Sequence, residues 1–174
     1  AGQARTLYTR LSGGLTHWAR KIECEPFRLR VIGTAGSGKT QLALAVLRDA
    51  LAAGRRPLYV CYNRPLADHM ALIAPPGGEI ATYHQLADRI SRDAGRVPDY
   101  SEPGAFARLE EFFAALPTDE HGSFDELIVD EGQDFRRLWV ENLLSLCTDE
   151  SHFMIFEDCR QNLYGISSAD RETI

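Results

Sequence analysis

Residues 33–40, GTAGSGKT, satisfy the pattern G-x-x-x-x-G-K-[ST], and the types at the fixed positions suit one task, the cradling of a phosphate chain. Gly33, Gly36 and Gly38 allow positive φ and a close approach of backbone to an anion, so that successive N–H groups turn inward around it. Lys39 is placed to reach the β- and γ-phosphates, and the Thr40 hydroxyl to ligate Mg²⁺. Thr34, Ala35 and Ser37 complete the cradle, whose expected ligand is a nucleoside triphosphate, ATP above others. Far along the chain, an apolar run ends in two acids, Leu127-Ile128-Val129-Asp130-Glu131. Asp130 suits a second Mg²⁺ ligand, and Glu131 suits a general base for a water in line with the γ-phosphate.

For these groups to meet, the chain must hold them on the ends of neighbouring elements. Arg28 to Gly33 has the pattern of a short strand. Gly38 to Gly54 has helical periodicity, with Leu42, Val46 and Ala50 on one face. The loop therefore sits between strand and helix, where a helix N-terminus adds its positive dipole end. Further strands are predicted at 57–62, 79–82, 126–131 and 152–156, and helices at 65–73, 84–93, 105–116 and 135–147. Pro- and Gly-rich stretches at 74–78, 93–104 and 117–123 separate them. Strands alternating with helices imply an α/β fold with a mostly parallel sheet, right-handed crossovers and helices on both faces. A lead-in segment, 1–27, precedes the domain at 28–174.

At 174 residues, 44% of them apolar and 25% charged, the chain suits one soluble α/β domain. A net charge of −6 argues against a general nucleic-acid coat and leaves local basic surface as the route to such a contact. Four cysteines without a Cys-x-x-Cys pair fit a reducing, cytoplasmic compartment. The longest apolar stretch, Leu42 to Leu47, is far short of the roughly 18 residues of a membrane span, so no membrane partner is expected. Because Ala1 opens the chain and the polar SSADRETI closes it, the sequence is expected to be a piece of a longer protein.

Five segments, in order, resemble the first motor domain of a superfamily 1 helicase of the UvrD/Rep type, over residues 28 to 165. VIGTAGSGKT resembles motif I, VCYNRPLADHM motif Ia, and TYHQLADRI the T-[FY]-H motif after it. ELIVDEGQDF resembles motif II, and EDCRQNLYG resembles motif III, with Asp158, Gln161 and Tyr164 in register. FDELIVDEGQDF with Trp139 also resembles helicase-like proteins joined to a nuclease-related domain. The resemblance implies a RecA-like domain that hydrolyses ATP with Mg²⁺ and, with a second motor domain, moves on single-stranded DNA or RNA. It implies that Gln133 and Gln161 contact the γ-phosphate or its attacking water. It places Asn63, Arg64, Thr82, Tyr83 and His84 at the nucleic-acid face: Arg64 on a phosphate, Asn63 and Thr82 on backbone groups, Tyr83 or His84 on a base.

Two departures from the family pattern carry expectations. The family's upstream L-[TN]-x-x-Q, whose Gln reads adenine, stands here as LTHWA with Ala19 in that place, so adenine selectivity is expected to be weak. Glu157 stands where motif III has Gly, and a changed turn is expected. Two other classes compete: a small-molecule kinase, whose mobile lid arginines are not evident in the Arg55-Arg56 or Arg136-Arg137 pairs, and a module that holds a nucleotide only for stability, against which the Asp130/Glu131 pair argues.

Overall fold

The computed structural model describes residues 14–34, 36–116 and 123–159. Five strands, β1 (Arg28–Gly33), β2 (Pro57–Cys61), β3 (Glu79–Thr82), β4 (Phe124–Val129) and β5 (Cys147–Asp158), form one sheet in the order β1-β5-β4-β2-β3. Every pairing is parallel. Among the described residues six α-helices accompany them: α1 (Leu15–Ala19) before β1, then α2 (Lys39–Ala52), α3 (Arg64–Ile73), α4 (Tyr83–Asp93), α5 (Ala105–Ala115) and α6 (Arg137–Leu144). No described helix is long and apolar enough to cross a membrane.

The strands are apolar on consecutive positions because both faces are covered, as a parallel sheet requires. Alternate side chains divide the core in two. Tyr59, Cys61, Ile128, Met154 and Phe156 pack with α1, α2 and α3, while Leu58, Val60, Leu127, Val129, Phe153 and Ile155 pack with α4, α5 and α6. The fold is thus the α/β sandwich expected, and its parallel register brings the carboxyl ends of all five strands to one rim.

Most boundaries fall within two residues of expectation, and the larger departures lie around the acids and in the last strand. The fourth strand stops at Val129, so Asp130 and Glu131 lie beyond it; Glu131 has φ 55, a left-handed backbone that no strand continues through. The helix expected over 135–147 is shorter, Arg137–Leu144, because Phe135 and Arg136 are extended; a 3₁₀ turn, Gly132–Asp134, precedes it. β5 runs from Cys147 to Asp158, more than twice the expected length, since its polar start pairs with Phe124 at the rim opposite the phosphate loop and its last two residues pair with Ile32 and Gly33.

At that far rim Glu126 is buried to 1% exposure. Arg55 Nη1 lies 2.8 Å and His152 Nδ1 3.2 Å from its Oε2, yet neither carboxylate oxygen has a partner in hydrogen-bond geometry among the described residues. Burial pushes its pKa up to about 7 from 4.5, against the pull of Arg55. A raised carboxyl pKa favours the fold at low pH, and that advantage is lost as pH rises from 4.5 through 7. His152, held below its usual range mainly by burial, works in the opposite direction, so a single-site variant is needed to separate them. Glu126→Gln removes the Glu126 part, and its stability relative to the parent is expected to grow by about 2 kcal/mol between pH 5 and pH 8, at 1.36 kcal/mol per unit. Urea melts across that range check this; parallel stability curves would contradict it.

Candidate functional site

The phosphate-loop residues sit where β1 ends and α2 begins. Gly38, with φ 91, is the N-cap of α2 and accepts from Leu42 N at 3.0 Å, so the helix opens with its first N–H groups directed at the loop. Gly33 serves differently from the expectation that all three glycines take positive φ: it is not among the positive-φ residues, but a Cβ there would lie 2.5 Å from Ser37 Oγ. Ser37 N donates to Thr34 O at 3.1 Å, closing the turn. Ala35 lies outside the described residues.

Lys39 is folded into this loop. Its ammonium donates to Gly33 O (3.0 Å), Thr34 O (2.9 Å) and Ser37 Oγ (3.2 Å), and pairs with Asp158 Oδ1 at 2.8 Å. Thr40 follows on the exposed side of the first turn.

β4, which delivers the acids, is not the neighbour of β1; β5 lies between them. Two strand spacings set β1 and β4 about 10 Å apart. Asp130 is 8% exposed, and Asp130 N extends the ladder by donating to Val60 O at 2.8 Å. Both of its carboxylate oxygens are oriented: Tyr59 Oη donates to Oδ2 at 2.6 Å and Glu131 N to Oδ1 at 2.8 Å. Burial and the Asp130 charge drive the Tyr59 phenol far above its ordinary range, so it remains a donor. A hydroxyl on Thr40 and a carboxylate on Asp130 are hard oxygen donors on one rim, a set that suits Mg²⁺.

Glu131 turns away from Asp130 along the rim. Its carboxylate accepts from Asn63 N at 3.2 Å and, in a short hydrogen bond, from Asn63 Nδ2. Its pKa is raised, chiefly by burial. The turn that follows approaches β5 so closely that a Cβ on Gly132 would lie 2.5 Å from Ile155 Cγ1. That approach lets Gln133 Oε1 accept from Asp158 N at 3.0 Å. Gln161 and Tyr164 lie outside the described residues. Glu157 makes no altered turn: it is still within β5, paired with Ile32, and its carboxylate meets Arg30 at 2.7 Å.

The five residues expected at a nucleic-acid face divide in two. Asn63 caps α3 through Leu66 N at 2.8 Å and spends its amide on Glu131. Thr82 caps α4, its hydroxyl accepting from Gln85 N at 3.2 Å in a reciprocal capping box. Tyr83, 1% exposed, stacks on Trp139 with centroids 4.5 Å apart and accepts from Asn142 Nδ2, so the expectation of a base stacking on it is corrected: it is a core residue. Arg64 is at the surface, paired with Asp68 on its own helix, and His84 is part-exposed, 2.9 Å from Glu110.

Sequence reasoning missed Tyr59 and Tyr62. Tyr59 faces Ile128 in the β2–β4 register, and alternation then puts Asp130 on the same face, a signal that exists only once that pairing is known. Tyr62, next to Asn63, is 48% exposed, and its ring lies over Trp139 at 6.1 Å.

A family model described as AAA domain matches residues 19–167, most of the chain. No curated protein matches it.

Proposed function

The chain belongs to the AAA domain family of P-loop nucleotide-binding domains, and from that membership we propose that it is the ATP-hydrolysing motor domain of a superfamily 1 DNA or RNA helicase or translocase of the UvrD/Rep type. The substrate is ATP, the metal Mg²⁺, and the partners are single-stranded nucleic acid and a second motor domain. One observation carries the reading. A run of contacts crosses the sheet rim from Lys39 to Asp158, from Asp158 N to Gln133, through the turn to Glu131, and from Glu131 to Asn63 at the start of α3.

In this reading the loop N–H groups and Lys39 hold the β- and γ-phosphates, and Thr40 and Asp130 hold the metal, which neutralises charge on the phosphate oxygens. Tyr59 fixes the Asp130 carboxylate. Glu131, its affinity for a proton increased by burial, takes the proton of the attacking water. Asn63 holds that carboxylate, so whatever shifts the first turn of α3 also moves the base. A strand lying across Tyr62, Asn63 and Arg64 would do so, with Tyr62 as stacking surface and Arg64 as phosphate contact. Ala19, in place of the family's adenine-reading Gln, is buried against α2 and has no side-chain hydrogen-bonding group, so nucleoside triphosphates other than ATP are expected to be accepted as well.

An arginine finger contributes about 10³- to 10⁵-fold in phosphoryl transfer. The 174-residue domain alone is therefore expected to turn over ATP barely or not measurably, whereas the same domain joined to its second motor domain is expected to be strongly stimulated by a single-stranded oligonucleotide. A phosphate-release assay on both proteins, with and without the strand, checks this. Robust turnover by the domain alone, indifferent to the strand, would overturn the division of labour.

A further inference from the structure

The carboxylate of Asp158 opens the run of contacts across the rim, but the roles given above assign it no effect on the affinity of the loop for its ligand. It ends β5, the strand interposed between the phosphate-loop strand and the acid-bearing strand, and it faces Gly33 across the ladder. Three contacts fix it there. Asp158 N donates to Gln133 Oε1, Cys159 N donates to Gly33 O at 3.0 Å, and the carboxylate reaches Lys39 Nζ at 2.8 Å.

Lys39 has four acceptors at its ammonium, and only Asp158 carries a full charge. The lysine side chain is 10% exposed, so these acceptors have largely replaced its hydration. A phosphate chain entering the loop meets a lysine that is already neutralised, with a fixed negative charge beside it. Like charges at such a distance repel, and the ammonium cannot give its full attraction to both.

We propose that Asp158 is a built-in competitor of the phosphate chain, an affinity-setting residue that weakens nucleotide binding by holding Lys39. This rests on the reading of residues 33–40 as a phosphate loop. The consequence is a site whose ligands leave readily, as a motor that must discard product at each step requires. The pairing is electrostatic, so its influence is greatest at low ionic strength.

The test is calorimetric titration of the parent, Asp158→Asn and Asp158→Ala with inorganic tripolyphosphate and with ADP, each with and without Mg²⁺. Both variants are expected to bind tripolyphosphate and metal-free ADP about five- to tenfold more tightly, a gain that shrinks in high salt. A merely structural role for Asp158 would not raise affinity, and melting curves without ligand confirm that the variants are folded. Unchanged or weaker binding by a folded variant would overturn the proposal, as would a loss confined to the Mg²⁺ titrations, which would make Asp158 a metal-site residue. Failure of the parent itself to bind any of these probes would remove the phosphate-loop reading instead, and the two failures are thereby told apart.

Discussion

Lys39→Ala is expected to lower the affinity for Mg-ATP by about two orders of magnitude or more, to the limit of calorimetric detection, with the fold intact. The ammonium reaches into the 33–40 loop, where it touches two carbonyls and a hydroxyl of the loop itself. Truncation leaves the backbone N–H groups, the α2 N-terminus and the metal as the remaining attraction for the phosphates, and it removes the side-chain cation directed at the γ end, where the charge density of a triphosphate is highest. Stability should change little. Lys39 opens a helix rather than filling a core, and the Asp158 carboxylate it releases is part-exposed to water. Calorimetry gives the affinity and a thermal melt the fold; unaltered Mg-ATP affinity in the variant would contradict the assignment of this loop.

Glu131→Gln is expected to separate chemistry from binding. In the form that turns over, joined to a second motor domain, kcat should fall about 10²- to 10⁴-fold, the range that a positioned general base contributes. ATP affinity should stay within a few-fold of the parent, because Glu131 faces Asn63 rather than the phosphate loop. The amide is nearly the same size but keeps one oxygen for the two Asn63 donors, so one of those hydrogen bonds is lost, and a thermal melt of the variant checks that the fold is retained. Single-turnover measurement isolates the chemical step from product release. A fall smaller than tenfold would place the base elsewhere.

The phosphate loop, the acid pair and the alternation of strands and helices were legible in the sequence because each is written in consecutive residues: glycines at set spacing, an apolar run ending in carboxylates, a change of hydrophobic period. What depends on strand order was not. That β5 stands between β1 and β4 follows from long-range pairing, and only this order hands Lys39 to Asp158 and leaves the acids two strands from the loop. Tyr59 likewise looked like one more apolar strand residue until its register with Ile128 set its hydroxyl on Asp130. The exposure expected of Tyr83 was misjudged for a related reason. A Tyr just after a strand can face solvent or core, and here α6 supplies Trp139 and Asn142 to bury its ring and satisfy its hydroxyl, while Tyr62 takes the exposed position. The strand and helix ends around Glu131 were missed because a positive φ at a glutamate leaves no trace in composition.

All of this depends on the rim of the sheet bringing the loop of β1 and the acids of β4 to one bound nucleotide. A crystal structure of the domain with Mg²⁺ and a non-hydrolysable ATP analogue measures that directly. The account predicts the triphosphate wrapped by residues 33–40, with one magnesium ion held by Thr40 and, directly or through a water, by the Tyr59-anchored carboxylate of Asp130. A nucleotide seated elsewhere, or a metal that Asp130 does not reach, would contradict it.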